Sequence, residues 1–416
     1  MRALTSEETA RPASERGPIR RLGGYELRAK IADGGMAEVH VGRRIAGPGA
    51  GEVVAIKTIR EQFARNREFV TMFMDEAKIV ARLRHPNIIE YYELGSEDEQ
   101  LFLAMELLFG QSLWSLWDAC RARGVRLRYD MIAWIGARVA EGLHYAHELV
   151  DEQGRPLDIV HRDVNATNIF VTYAGEIKVI DFGLAKAANR ASKTAAGVIK
   201  GKVAYMSPEQ AVGAPIDRRT DVFALGTTLW ELACDRRLFK RSDDVETLRR
   251  VHAAEVPDAT RVVEGFPPEL WRILQRALAR DKGQRYATAA ELARDLDRIA
   301  HEMGGDGAGP RPVAKAMREL FAEDHARQVS WVAEASGPTP SRGLVEPLKS
   351  PSTFSLDDHA SPAWIPGRPR APSTPSAAFE SPRPPPLPVR SRNLQYAAIA
   401  LAAFVAISIL LFAWTR

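Results

Sequence analysis

The sequence predicts an α+β fold in two successive parts, β-rich from Tyr25 and mostly helical from Leu113. Three observations carry this. Apolar runs at residues 53–56 and 101–108 have the length and composition of buried strands. Apolar residues at helical spacing mark residues 69–83 and 131–149. Between residues 158 and 183, three short runs (158–160, 168–171 and 177–180) alternate with polar turns. The turns put Asp163, Asn168 and Asp181 at the ends of short strands, able to converge on one spot. Such an oxygen-rich cluster suits a hard cation that holds phosphate groups.

The bulk properties narrow the class. A chain of 416 residues suggests two or three modules. Its 45% hydrophobic and 26% charged content is ordinary for a globular protein. A net charge of +4 is small for this length and makes no case for a nucleic-acid partner. Cys120 and Cys234 lie far apart, so neither a disulfide framework nor a metal-ligand pair is implied, as fits a reducing compartment. Residues 1–21 are polar, read as a disordered lead, and lack the apolar core of a secretory signal.

In chain order, the β-rich part carries Ile31-Ala-Asp-Gly-Gly-Met-Ala-Glu-Val39, where residues without bulk would let backbone N–H groups approach phosphate oxygens. A loop at residues 47–51 leads to the strand Val53-Val-Ala-Ile-Lys57. In the next helix Phe69, Met72, Phe73, Ala77, Val80 and Leu83 define one apolar face. Glu76 lies on that face, and a carboxylate aimed at a core needs a partner, for which Lys57 is the natural candidate. Pro86 ends the helix, and residues 85–89 start another strand. Residues 131–149 should bury one face beneath the 158–183 turns. A Gly-rich break at residues 304–309 marks a boundary after a fold that closes near His301.

His161-Arg-Asp-Val-Asn-Ala-Thr-Asn168, followed by Asp181-Phe-Gly183, resembles the catalytic loop and metal-binding motif of protein kinases. The resemblance runs from about Tyr25 to His301. The Gly-Gly-Met-Ala-Glu-Val loop and the Ser-Pro-Glu-Gln ending at residues 207–210 resemble the eukaryotic-like Ser/Thr kinases of bacteria. It implies the bilobal kinase fold over residues 22–301, with a β-rich N-lobe and a helical C-lobe. It further implies transfer of the ATP γ-phosphate to Ser/Thr hydroxyls of protein substrates, with Mg²⁺ or Mn²⁺ as cofactor.

On this resemblance Asp163 accepts or orients the hydroxyl proton, while Asn168 and Asp181 bind the metal. Lys57, held by Glu76, positions the α- and β-phosphates. The ATP-binding set comprises Ile31, Ala32, Asp33, Gly34, Gly35 and Met36, then Ala37, Glu38, Val39 and Ala55. Lys57, Met105, Glu106, Leu108 and Phe170 complete it, with Met105 at the back of the adenine pocket and the 106–108 backbone on the adenine. Asp221 supports the catalytic-loop backbone, and Arg285 pairs with Glu209. The activation segment carries the cations Lys186, Arg190, Lys193, Lys200 and Lys202 and the hydroxyls Ser192 and Thr194. A phosphate on Ser192 or Thr194 would dock on Arg162.

Several positions depart from the family pattern. Ala32 and Ala37 replace two loop glycines. Asn165 stands where a Lys usually contacts the γ-phosphate, and Lys202 where a Thr usually packs by the catalytic Asp. Either Lys202 supplies the missing charge, or it is a solvated cation and Asn165 suffices. The departures keep a rival open, a pseudokinase or scaffold recruiting partners to a membrane.

Beyond the boundary, Val313, Met317, Leu320, Phe321, Val329 and Val332 suggest one short helix or two within residues 302–335. Residues 336–392 hold 14 of the 26 prolines and read as a disordered tether. Its 382–390 stretch is either a stiff spacer or a polyproline II ligand. Residues 394–414 lack any charge, and at about 1.5 Å per residue they reach across a bilayer core. Arg390 and Arg392 favour a cytoplasmic N-terminal side, and Tyr396 and Trp414 sit where belt residues would. Only Thr415 and Arg416 follow, so a tail-anchored, single-pass protein of the cell membrane with a cytoplasmic catalytic domain is expected. Ala398, Ala402 and Ala406 form a small-residue stripe along which two spans could pair as a homodimer.

Overall fold

The computed structural model describes residues 20–182 and 202–336, with two short strand segments at Arg2–Ala3 and Ser352–Ser355. The first part is an antiparallel sheet of β1 (Tyr25–Asp33), β2 (Ala37–Arg44), β3 (Val53–Ile59), β4 (Tyr91–Glu97) and β5 (Gln100–Met105), ordered β1-β2-β3-β5-β4. Period-two alternation divides its side chains. Val54, Ile56, Phe102 and Ala104 join Tyr25 and Leu27 in an outer cluster. Ala55, Leu101, Leu103 and Met105 belong to the main core on the other face. Lys57 is two residues beyond Ala55, so the same alternation aims it at the inner side.

One helix, α1 (Arg67–Val80), packs against the sheet. Asn66 caps it by accepting from the Phe69 amide at 3.1 Å. Phe69, Phe73, Ala77 and Val80 are all buried, as their spacing predicts. Each phenylalanine contributes about 1.5–3 kcal/mol of burial. The strand expected from His85 starts only at Tyr91; Ile88 makes a lone bridge to Val179.

The chain crosses to the helical part through β6 (Gly110–Ser112), α2 (Leu113–Ala122) and α3 (Tyr129–His147). The strands β7 (Ile169–Thr172) and β8 (Ile177–Val179) pair with β6 as β8-β7-β6. No strand forms at residues 158–160, because Asp158 turns left-handed at φ 47° and breaks the extended run. Besides one-turn helices at Pro208–Ala211 and Ala259–Val262, four longer helices follow: α4 (Arg219–Cys234), α5 (Asp244–Ala253), α6 (Pro268–Ala277) and α7 (Ala289–Gly304). The expectation of one buried face on α3 is corrected. α7, α4 and β8 pack on different sides of it, so it is buried nearly all round.

The Gly-rich break does not end the packed unit. Two helices follow it, α8 (Pro310–Leu320) and α9 (Ala322–Ser336), separated at Phe321. Val313 and Met317 of α8 are fully buried, and α8 packs on α2 and β7. Gly175, at φ 86°, has no room for a side chain beside the Pro310 carbonyl. Then α9 leaves the helical part and lies against β2 and β3. Two regions read as disordered each contribute an edge pairing, Arg2–Ala3 on β1 and Ser352–Ser355 on β4. Among the described residues no helix is long and apolar enough to cross a membrane; residues 394–414 lie outside them.

Candidate active site

The floor of the site is the turn at residues 161–168, and a buried carboxylate holds it. Asp221, in the first turn of α4, accepts from the His161 and Arg162 amides, each at 2.8 Å, and lies 2.8 Å from His147 Nε2. Burial alone would push the Asp221 carboxyl up. The His147 hydrogen bond, the histidine charges and the Arg162 amide outweigh it and hold the carboxyl below its ordinary value. Arg162 takes φ 67°, a conformation a non-glycine residue adopts only when its surroundings impose it. The Asp221 carboxylate and the Gln210 amide, 3.3 Å from the Arg162 carbonyl, are those surroundings.

Asp163 is fixed by two amides. Asn168 Nδ2 donates to its backbone oxygen at 2.8 Å and to Oδ2 at 3.0 Å. Asn165 Nδ2 donates to the same backbone oxygen at 2.9 Å and to Oδ1 at 3.2 Å. The Asn165 oxygen accepts in turn from Thr167 N and Oγ1. Asn165 is therefore absorbed into the turn.

Asp181 follows β8. Phe182 is fully buried with its ring centroid 4.6 Å from that of His161, and His161 Nε2 lies 3.0 Å from the Ile180 carbonyl. Ile180 N donates to the Asn168 carbonyl at 3.0 Å, which ties the two turns together. Asp181 itself, at φ 61°, meets Lys57 Nζ at 2.5 Å through Oδ1. The expected partner of Lys57 was Glu76. The partner observed is Asp181, and the Glu76 side chain lies outside the described residues.

Above this floor is a cavity between the sheet and the helical part. Ile31, Ala32, Val39 and Ala55 form its roof, Met105, Glu106 and Leu108 its back edge, and Phe170, Lys57 and Asp181 its inner end. Glu106 is held by Lys178 at 3.0 Å, and its amide donates to the Glu90 carbonyl at 2.9 Å. Asp33, Gly34, Gly35, Met36, Ala37 and Glu38, expected on the nucleotide, do not line the cavity. In the β1–β2 turn the Asp33 and Glu38 carboxylates pair with Lys30 and Arg60. Neither Gly34 nor Gly35 takes a positive φ; the turn is closed by Gly34 N donating to Ala37 O at 3.0 Å.

Below the floor, Arg285 grips Glu209 with two bonds of 2.7 and 2.9 Å, and Thr220 Oγ1 donates to Glu209 at 3.0 Å. Arg285 is fully buried and stacks over Phe223. Burial would raise the Glu209 pKa, but the Arg285 bonds hold it below the usual glutamate value. Ser207 and Gln210 form a capping box on the short helix Pro208–Ala211. Ser192 and Thr194 lie outside the described residues, as does the Lys202 side chain.

A divalent cation fits the donor set. The Asn168 amide nitrogen is committed to Asp163, which leaves its oxygen as an acceptor, and the Ile180 amide ties the Asn168 backbone to the residue before Asp181. Two hard oxygens suit Mg²⁺ when phosphate oxygens and water supply the rest. Among the described residues no three His, Cys, Asp or Glu side chains could hold a metal alone.

Residues 25–296 match the family model of the protein kinase domain. The chain belongs to that family. It is 36% identical over 335 residues to the tyrosine-protein kinase MasK of Myxococcus xanthus, covering 79% of this chain and 51% of MasK. It is 34% identical over 279 residues to the serine/threonine-protein kinase PknL of Mycobacterium tuberculosis, 67% of this chain and 66% of PknL. With the serine/threonine-protein kinase PrkC of Bacillus subtilis it shares 33% over 274 residues, 66% of this chain and 40% of PrkC. The chain thus spans between 40% and 66% of the length of these relatives. Among solved structures, the kinase domain of M. tuberculosis PknI superposes with a TM-score of 0.51 at 26% identity, over 68% of this chain and 98% of that domain.

Sequence reasoning missed two parts of this kinase site. His147, which holds Asp221 from beneath, reads in the sequence as one more residue of an amphipathic helix. Arg327, Gln328 and Trp331 of α9 also line the cavity. A helix here was legible from Val329 and Val332; the surface on which it docks, and so the role of these three residues, was not.

Proposed function

We propose that the chain is a serine/threonine protein kinase that transfers the ATP γ-phosphate to protein hydroxyls, including its own activation segment. The observation that carries this reading is the Lys57–Asp181 pair at one end of an apolar cavity, tied through the Ile180 amide to the turn in which Asn168 holds Asp163. The cavity would take the adenine against Ala55, Val39 and Phe170, with the 106–108 backbone along its edge. Lys57 meets phosphate charge, and Asn168 and Asp181 would hold Mg²⁺, which when bound neutralises the phosphates and aligns them. Asp163, its carboxylate oriented by two amides, receives or orients the hydroxyl proton as the acceptor oxygen attacks. Positioning and charge carry the catalysis.

Asn165 is turned onto Asp163 and supplies no positive charge to the γ-phosphate. We assign that charge to Lys202. Lys202→Ala should then lower activity strongly; a slight loss beside a dead Asp163→Asn would refute this assignment. Serine/threonine specificity is supported by the names of PknL and PrkC, whereas MasK is named a tyrosine kinase. Arg162, whose buried Nε has no hydrogen-bond partner among the described residues, is the natural dock for a phosphate on Ser192 or Thr194. Residues 394–414 anchor the chain in the cell membrane with the catalytic domain cytoplasmic, on the strength of their charge-free length and the preceding arginines.

The test is autophosphorylation of the full chain in detergent with Mg²⁺ and radiolabelled ATP, followed by phosphoamino-acid analysis. Label on Ser or Thr is expected, lost by about 10²–10⁴-fold in Lys57→Ala and Asp163→Asn. Label on Tyr alone would overturn the specificity. ATP binding without transfer would favour the pseudokinase, for which Ala32, Ala37 and Asn165 speak.

A further inference from the structure

The helix α9 lies over the cavity mouth, and one contact fixes it there. Gln328 is 6% exposed and spends both ends of its amide on a single residue. Gly110 N donates to its Oε1 at 2.9 Å, and its Nε2 donates to Gly110 O at 3.0 Å. Gly110 opens β6, just after the 106–108 edge of the cavity, and a side chain there would collide with the Val171 carbonyl. Gln328 satisfies both backbone groups of Gly110.

The same helix touches both parts of the fold. His325 packs its ring 4.4 Å from Tyr173, and Arg318 of α8 reaches the Tyr173 carbonyl at 3.2 Å. Farther along, α9 rests on β2 and β3, and its Ala335 is fully buried. Arg327 and Trp331 are four residues apart, hence on one helix face, and both line the cavity. Asp324, a turn earlier, pairs with Arg327 and restrains it.

We propose that α9 is the outer wall of the nucleotide site. Trp331 covers the solvent-facing edge of the purine and ribose, Arg327 adds positive charge at that rim, and Gln328 is the positioning residue that clamps the wall to Gly110. The inference rests on the nucleotide reading above. A nucleotide bound behind this wall is enclosed on the side where it would otherwise face water, and it leaves when Gln328 releases Gly110. The ligand is an adenine nucleotide, and the wall acts chiefly on its rate of release.

The experiment uses the full chain and a fluorescent ADP analogue, with dissociation followed by stopped flow and KM and kcat measured for ATP. Gln328→Glu keeps the size and the acceptor but loses the donor and sets a carboxylate against the Gly110 carbonyl. Trp331→Ala removes the wall and spares the clamp. Each should weaken binding by about tenfold, the equivalent of one or two lost hydrogen bonds or a lost ring contact. Release should account for most of the change, and KM for ATP should rise in proportion while kcat changes less. Trp331→Phe, which keeps a ring, should recover most of the affinity. Unchanged release and KM in both variants would overturn the proposal. So would tighter binding, which would make α9 an obstruction. Those results leave the phosphotransfer reading standing if Lys57→Ala still abolishes activity. A wild-type chain that binds no ADP analogue would end both.

Discussion

The two sides of the cleft are built to different standards. On the helical side the 161–168 turn is held largely by buried groups. Asp221 takes the His161 and Arg162 amides and His147, two asparagines hold Asp163, and Arg285 grips Glu209. On the sheet side Lys57 meets a carboxylate that is 30% exposed, and the β1–β2 turn carries its acidic groups on the half-exposed Lys30 and Arg60. Buried polar contacts in a low-dielectric setting are strong and favour one arrangement, whereas partly exposed ion pairs are weak and exchange readily with other charges. The helical side is therefore the more firmly specified, and the ion pairs of the sheet side are the freer to exchange. This suits a reaction in which the base must be in place beforehand and the phosphates must enter and leave.

The sharpest way to break this contrast is to cut the helical side. Arg285→Ala strands the Glu209 carboxylate among buried groups and should destabilise the chain by about 3–5 kcal/mol, measured by urea denaturation. A loss below about 1 kcal/mol would mean that water reaches Glu209 and that the side is less rigid than its contacts indicate.

Acid offers a second, intermediate test. Asp221 and Glu209 both titrate lower in the folded chain than their ordinary values of 3.8 and 4.5. Each therefore contributes stability that is fully present above its ordinary value and is lost as pH falls through its lower folded one. The wild-type denaturation midpoint should fall as pH drops below 4.5, and Glu209→Gln should make that fall shallower. Equal slopes in the two chains would show that Glu209 makes no such contribution.

The smallest stability effect should come from the sheet side. Asp181→Asn removes the charge opposite Lys57 and should abolish phosphotransfer, yet shift unfolding by less than about 1 kcal/mol. A loss as large as that of Arg285→Ala would erase the distinction between the two sides.

What could be read from the sequence follows the range of the interactions. Asp163, Asn168 and Asp181 were legible because short strands and turns place them locally. Lys57 was legible because a strand alternates and Ala55 faces inward. The stripe of Phe69, Phe73, Ala77 and Val80 was readable from its helical spacing. Misreadings arose where local pattern met tertiary competition. Residues 158–160 look like a strand but are broken by the left-handed Asp158. Asp33 and Glu38 belong to a phosphate-loop pattern, and their pairing with Lys30 and Arg60 was not legible in it.

By itself the sequence determined the order of strands and helices, the catalytic turn and the lysine that faces it, since each depends on contacts between near neighbours or on a fixed backbone period. Only the tertiary structure decided that His147 stands under Asp221, 74 residues away, that Lys57 meets Asp181, 124 away, and that Gln328 closes on Gly110, 218 away. A hydrogen bond across such separations leaves no periodic trace in the chain. It exists because packing brings two surfaces together, and either partner alone reads as an ordinary polar residue.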